Sequence, residues 1–319
     1  MNSRRIFLKK MIAGTAAIQL PFFASSFADF ENEFVADDYS LKISLAQWSI
    51  HRSMDKGILR AENFASIAKN DFGISAIEYV ATYYKNYSTN ERFWQSMKQT
   101  AENLGVKSLL IMVDDEGDIG HLNKSERSKA VENHYKWINA AKILGCHSIR
   151  LNAFGDGDKK AVQDAVAESM TALCTYAAKE KINVIIENHG LYSADGEWIE
   201  GVMKKVNMPN CGTLPDFGNW CTNAKWGSTE NNKCNEVYDR YQGVKEFLPY
   251  AKGVSAKSYA FNEQGEETII DYTKMLNIVK ESGFKGYIGI EYEGSALSEP
   301  DGIRATKVLV EKTLKKVYG

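Results

Sequence analysis

Residues 182–190 read Ile182-Asn183-Val184-Ile185-Ile186-Glu187-Asn188-His189-Gly190. A mostly β-branched apolar run passes directly into a carboxylate, an amide, an imidazole and a glycine. A continuous apolar run of this length reads as a strand buried on both faces, as in a parallel sheet. The C-terminal ends of such strands are where α/β barrels and open sheets carry their chemistry. A single strand that turns polar where it meets solvent would mean little, but the same pattern recurs three more times downstream.

Outward from this stretch, short apolar runs alternate with helical patterns. Strands are expected at 43–48, 73–80, 106–113, 148–152, 182–187, 211–216, 253–259 and 286–291. Helices are expected at 57–70, 91–104, 125–144, 158–179, 196–206, 236–250, 269–282 and 300–318, with a long loop over 217–234 that holds Trp220, Trp226 and several Asn. Strictly alternating βα units imply a parallel sheet. Eight units over roughly 280 residues fit a closed (β/α)8 TIM barrel, an α/β fold of typically ~250 residues. A doubly wound open sheet is the runner-up, and no Gly-rich phosphate loop follows the first strand to support it.

The 319 residues are 44% hydrophobic and 25% charged, an ordinary globular balance. Five prolines and no low-complexity tract argue against a flexible linker. Residues 1–28 read separately. Ser3-Arg4-Arg5-Ile6-Phe7-Leu8-Lys9, a modestly apolar run from Met11 to Phe27, and Ser26-Phe27-Ala28 resemble a twin-arginine signal with its cleavage site. The run is short for a membrane span and is diluted by Gly14, Thr15, Gln19 and Pro21. Cleavage would leave residues 29–319 as one domain, periplasmic or secreted, with no membrane attachment. The mature chain would carry 35 basic against 41 acidic residues, a formal charge of −6, which disfavours a nucleic-acid partner. An oligomer is compatible with all of this. Of five cysteines, Cys221 and Cys234 share the long loop and could pair in an oxidising compartment. Cys146, Cys174 and Cys211 read as buried small hydrophobes.

The late strands end in Glu187 with His189 beyond it, Asp216 with Asn219, Ser255 with Lys257, and Glu291 with Glu293. Successive positions 187, 216, 255 and 291 lie 29, 39 and 36 residues apart, each about one βα unit, so a barrel brings them to one mouth. Carboxylates gathered in a concave site need protons or cations among them. For Glu187, Asp216 and Glu291 together a divalent metal is the simplest answer. All-oxygen ligands suit Mn²⁺ or Mg²⁺ better than structural zinc. Glu78 or Glu293 alone would read as a surface carboxylate at a loop start.

The segments Glu187-Asn188-His189-Gly190, Asp216-Phe217-Gly218-Asn219 and Ile290-Glu291-Tyr292-Glu293 resemble the fifth, sixth and eighth strand ends of the xylose isomerase-like TIM barrels. That superfamily includes sugar-phosphate isomerases and sugar 3-epimerases, and the resemblance covers roughly residues 41–318. In the sugar epimerases a divalent metal is held by Glu, Asp, His and Glu from strands five to eight. Carried over, these are Glu187, Asp216, a position near Ser255, and Glu291. Ser255 therefore stands where the resemblance implies a histidine. Alternation puts Lys257 on the same face, where its ammonium could do part of a metal's electrostatic work.

The reaction implied is proton removal next to a carbonyl of a neutral sugar, with the enediolate oxygen stabilised by the metal or by a cationic side chain. Glu187 and Glu291 are the expected acid/base pair, with Lys257 as a catalytic cation. His189, Asn219, Arg150, Asn152, Trp48 and Trp220 are expected to bind substrate, indole faces suiting the C–H faces of sugar rings. Gln47, Trp198 and Trp226 are further candidates. No Lys/Arg cluster marks a phosphate site. Isomerisation or epimerisation is the first expectation. A keto-glycoside lyase or hydratase sharing the enolisation step, and a non-catalytic sugar-binding barrel, are the alternatives.

Overall fold

The computed structural model describes residues 41–230 and 234–319, so the twin-arginine segment lies outside the described residues. Eight strands follow one another: β1 Leu41–Ala46, β2 Ala76–Val80, β3 Lys107–Val113, β4 Ser148–Asn152, β5 Asn183–Glu187, β6 Cys211–Leu214, β7 Val254–Ser258 and β8 Gly286–Tyr292. All are paired in parallel in the spatial order β6-β5-β4-β3-β2-β1-β8-β7, so sequence neighbours are sheet neighbours and β1 joins β8. Between and after them run α1 His51–Asp55, α2 Phe64–Phe72, α3 Glu91–Asn103, α4 Lys124–Leu144, α5 Lys159–Ala178, α6 Gly196–Val206, α7 Arg240–Phe247, α8 Tyr272–Glu281 and α9 Glu299–Tyr318. This is the expected (β/α)8 barrel. No helix among the described residues is long and apolar enough to cross a membrane.

Closure between β6 and β7 is made differently from the rest. Pro215 follows β6 directly and has no N–H to give a ladder. Two isolated parallel bridges, Thr213 with Ala251 and Asp216 with Ser255, join the edges instead. Three backbone hydrogen bonds span the gap: Lys252 N to Thr213 O (3.0 Å), Ser255 N to Pro215 O (2.9 Å) and Phe217 N to Ser255 O (3.1 Å). On the other side of β6, the Asn188 side chain takes the place of a strand. Its amide donates to Asp216 O (3.0 Å) and its carbonyl accepts from Asp216 N (2.7 Å).

Strand alternation sorts the chemistry inward. Ile149 and Leu151, Val184 and Ile186, Val254 and Ala256, and Ile288 and Ile290 face the helices and join the large outer core. Their neighbours Arg150, Glu187, Ser255, Lys257 and Glu291 face the barrel axis. Below them a small inner cluster of Ala46, Val80, Leu110, Met112, Ile185 and Leu214 fills the barrel. Gly289 also points inward, and a Cβ there would sit 2.6 Å from the Glu78 carboxylate, so only glycine leaves room for that side chain.

The helices begin on side-chain caps in the loops after the strands. Asn123, Asp158, Asp195, Asp239, Asp271 and Ser298 accept from the first-turn amides of α4, α5, α6, α7, α8 and α9. Helix α7 starts at Arg240, later than the expected 236, because Asp239 is its cap. The expected helix over 57–70 is shorter and opens as a 3-10 turn over Ala61–Asn63.

Trp220, expected at the mouth, lies instead in the outer core. Its ring is fully buried against Phe247 (centroids 5.5 Å) and Tyr238 (6.1 Å), and seats on the bare Cα of Gly243 in α7. The loop crosses outward there, so the indole cannot reach a ligand. Alanine in a helix ordinarily stabilises by about 1 kcal/mol over glycine. Here a Cβ at 243 would meet the Trp220 ring at 2.1 Å. Gly243→Ala is expected to destabilise the fold by about 1–3 kcal/mol, read from urea denaturation; a gain in stability would disprove this packing.

Candidate active site

At the C-terminal end of the barrel, ligand atoms of Glu187, Asp216 and Glu291 lie within 4.8 Å of one another, all three residues buried. Arg150 Nε is 2.7 Å from Glu187 Oε2, and its guanidinium also pairs with Asp114. Lys257 Nζ donates to Glu293 Oε2 (2.9 Å) and lies 3.2 Å from Glu291 Oε1 and 4.0 Å from Asp216 Oδ2. The site thus sets five carboxyl groups, Asp114, Glu187, Asp216, Glu291 and Glu293, against two cations. Both cations are almost fully buried, Lys257 to 1% exposure.

Burial and neighbouring charge together shift the proton affinities. Burial pushes Glu187 well above the usual carboxylate range; Arg150 opposes the shift, and Glu291 and Asp216 add to it. Burial likewise raises Asp216 to about 7, against the pull of Lys257. Glu293 goes the other way. Burial works against its ionisation, but the Lys257 ammonium and the Trp48 indole N–H (2.9 Å to Oε1) more than offset it and hold it below the ordinary value. Burial disfavours the charged form of Lys257, yet Asp216, Glu291 and Glu293 keep it protonated far above the usual lysine range.

Ser255 Oγ stands 2.6 Å from Asp216 Oδ2 and 3.0 Å from Glu291 Oε2. A hydroxyl has one proton, so both contacts are hydrogen bonds only if one carboxyl is itself protonated. Asp216 is further fixed by the backbone N–H groups of Gly218 (2.7 Å) and Asn219 (2.9 Å) on Oδ1. Three mutually close carboxyl groups with too few cations fit a hard divalent ion. The donor set is complete except at Ser255, whose neutral hydroxyl replaces the implied imidazole.

A second chain of contacts fixes His189. Asn152 Nδ2 donates to Asp114 Oδ1 (2.9 Å), which can only accept, so Asn152 presents Oδ1 to His189 Nδ1 (2.7 Å). The imidazole N–H is therefore at Nδ1, and Nε2 keeps its lone pair. Burial, with Arg150 and Lys257 nearby, holds this ring neutral, well below the usual histidine pKa.

Above the carboxyls lies a cavity of about 450 Å³ lined by Trp48, Tyr83, Arg150, His189, Glu291 and Glu293, with Asp55, Asp114, Asp115 and Trp226 among its other walls. Of the sequence-predicted residues, Glu291, Arg150, His189 and Trp48 line it, and Glu187, Asp216, Lys257 and Asn152 are joined to these by ion pairs, hydrogen bonds and close approach. Asn219 joins them beneath the surface, donating to Glu187 Oε1 (3.2 Å). Gln47 does not reach the cavity, because both ends of its amide are spent on Tyr84 and the Val80 amide. Trp198 is held by Lys159 O, outside the cavity. Glu78 and Glu293 are not surface carboxylates. Glu78 is buried beneath the site on Ser44 (2.6 Å), its other oxygen without a hydrogen-bond partner among the described residues. Both face inward by the alternation that places Glu291 there. Asp114 was also legible, since it directly follows the last residue of β3. Tyr83 and Asp55 come from irregular or very short elements with no comparable signal.

The long loop is closed by a Cys221–Cys234 disulfide, and Cys146, Cys174 and Cys211 are buried and free.

Glu78 carries a testable pH signature. Burial, with Glu291 adding to it, raises the group to about 7, against the Ser44 hydrogen bond and Arg150. In the unfolded chain it would ionise near its ordinary 4.5. Its favourable contribution is therefore complete below pH ~4.5 and is lost as the pH rises through ~7. Relative to Glu78→Gln, the wild type should lose roughly 3 kcal/mol of unfolding free energy between pH 4.5 and 7.5. Parallel pH–stability curves for the two proteins would contradict this.

Residues 66–311 match the model of the Xylose isomerase-like TIM barrel family. Among solved structures, the chain is similar to a D-allulose 3-epimerase from Methylomonas sp. (13% identity, 86% of this chain and 98% of that one, TM-score 0.63). It is similar also to a xylose isomerase-like TIM barrel protein from Mycobacterium smegmatis in complex with magnesium (13%, 86% and 97%, 0.61). A third is a xylose isomerase domain protein from Planctomyces limnophilus (15%, 88% and 98%, 0.62). No curated protein matches the chain in sequence.

Proposed function

This chain belongs to the xylose isomerase-like TIM barrel family, and from that premise and the site geometry we propose that it isomerises or epimerises a neutral sugar by moving a proton next to a carbonyl. The observation that carries the reading is the buried meeting of Glu187, Asp216 and Glu291, of which Glu291 also lines the cavity. The epimerase similarity supports the same chemistry.

The walls favour an uncharged substrate. Asp55, Asp114, Asp115, Glu291 and Glu293 line the cavity, and its one arginine is already committed to Asp114 and Glu187. A phosphate or carboxylate group would meet repulsion without a free cation. Hydroxyls fit better: carboxylates accept from them, and the His189 Nε2 lone pair is a further acceptor.

Glu187, Asp216 and Glu291 would hold the divalent ion, with Mn²⁺ or Mg²⁺ favoured by the all-oxygen donors. Such an ion supplies positive charge to the oxygen that becomes negative as the C–H proton leaves. Glu291 lines the cavity and is the base that takes the proton. Glu187, from β5 on the other side of the carboxyl cluster, is the group that returns one. Lys257 keeps Glu291 and Glu293 in place and adds a fixed positive charge beside the developing oxyanion. Return of the proton to the same carbon from the opposite face gives an epimer, and return to the neighbouring carbon gives an isomer. The Cys221–Cys234 bond supports an oxidising compartment, in keeping with a periplasmic or secreted location for this chain.

With the purified protein in D₂O and a panel of ketoses, deuterium should appear at a carbon flanking the carbonyl. Glu291→Gln should slow this exchange by ~10²–10⁴-fold while sugar binding persists; undiminished exchange would sink the assignment. Titration calorimetry with Mn²⁺ should find one site per chain. Asp216→Asn should weaken it by at least the ~10–100-fold that loss of an outer-shell partner costs. Equal affinity in both proteins would remove Asp216 from the ligand set.

A further inference from the structure

The loop between β6 and α7 passes over the barrel mouth at residues 225–227. Lys225 pairs with Gly190 in an isolated antiparallel bridge, and Cys221 N donates to Gly227 O (3.0 Å). Gly190 and Gly227 are packed so closely that a Cβ on Gly227 would lie 2.5 Å from Gly190 N. Between these contacts Trp226 is held at φ 72°, a left-handed conformation that bulky side chains rarely adopt. Such a conformation costs on the order of 1–3 kcal/mol and persists only where the surroundings impose it. Here the disulfide from Cys221 to Cys234 closes the base of the loop, and Ser295 N donates to Glu230 (3.2 Å) across to the segment after β8.

The outcome is an indole that does not bury itself. Trp226 stands edge to face with His189 (5.0 Å, 73°) and Phe154 (5.4 Å, 87°), yet stays 42% exposed and forms part of the cavity wall. The floor of the same cavity is closed to solvent, with Arg150 at 3% and Glu291 at 4% exposure. The cavity therefore runs from a polar, dry floor to an aromatic, wet rim. One hexose, roughly a dozen non-hydrogen atoms at interior packing density, occupies on the order of 200 Å³. The cavity measures about 450 Å³.

We infer that Trp226 is a specificity-determining residue, the platform of an outer subsite that stacks a second sugar ring joined to the one lying over the carboxyl groups. The substrate class is then a glycoside or disaccharide. This rests on the reading of the floor as a sugar site. The indole is 42% exposed at the cavity wall, with the Lys225 ammonium 5.3 Å from its ring centroid, and its exposed ring surface suits the C–H side of a pyranose.

The test compares binding of single and paired sugars by saturation-transfer NMR and calorimetry. Probes are D-allulose and D-glucose on one side, and sucrose, turanose, cellobiose and trehalose on the other. The wild type should bind at least one disaccharide about tenfold or more tightly than either monosaccharide. Trp226→Ala should reduce that preference to about twofold, losing disaccharide affinity by more than it loses monosaccharide affinity, and Trp226→Tyr should restore most of the preference. Circular dichroism checks that the variants are folded, and Trp226→Leu, which keeps apolar bulk without a ring and should also lose the preference, replaces the alanine variant if that one does not fold. No disaccharide preference in the wild type, or one that survives in Trp226→Ala, overturns the outer subsite and leaves the proposed reaction standing. Failure of every sugar to bind overturns both, and deuterium exchange in the ketose panel tests the reaction separately.

Discussion

Two buried cations hold the interior of this barrel together. Arg150 stands between Asp114 and Glu187, and Lys257 between Glu293 and Glu291, with Asp216 at the edge of its reach. A charge taken out of water costs several kcal/mol unless it is paired, and removing one member of such a pair leaves the other stranded. Burial above all, with neighbouring carboxylates adding to it, makes Glu187 and Asp216 bind protons more tightly than ordinary acids. The structure thus accepts an electrostatic deficit in one place, at the floor of a cavity. Perturbed groups concentrate at such sites because catalysis needs them there.

Rigidity around that deficit comes from uncharged groups. Asn188 mimics a strand for Asp216, Asn152 sets the tautomer of His189, and Gly218 and Asn219 supply backbone donors to Asp216. Each of these residues lies within a few positions of a strand end, so the turn that ends the strand also aims the side chain. That economy is general to the barrel, whose strands deliver several chemical groups to one mouth while the helices carry the stability.

The fold was legible because period and length are local signals. Runs such as Val184-Ile185-Ile186 and Leu109-Leu110-Ile111-Met112 are buried on both faces of a parallel sheet. The carboxyl cluster was legible because strand ends one βα unit apart converge once the barrel closes. What escaped depends on direction rather than spacing. Nothing in the sequence tells Trp220, which turns outward onto Gly243, from Trp226, which the left-handed backbone turns toward the mouth. Glu78 and Glu293 each look like a surface carboxylate when read alone, whereas alternation with Val80 and Glu291 puts both on the inner face. The end of β6 at Leu214 rather than Asp216 follows from Pro215, whose missing N–H breaks the ladder.

The gap that Pro215 leaves has a thermodynamic corollary. Around most of its circumference the barrel is zipped by continuous strand pairs, but between β6 and β7 two bridges do that work. Asp216 belongs to one lip of this seam and Ser255 and Lys257 to the other, with Glu291 one strand further on. Whatever occupies the floor straddles the seam and rivets it, so that ligand occupancy and integrity of the ring become two faces of one equilibrium.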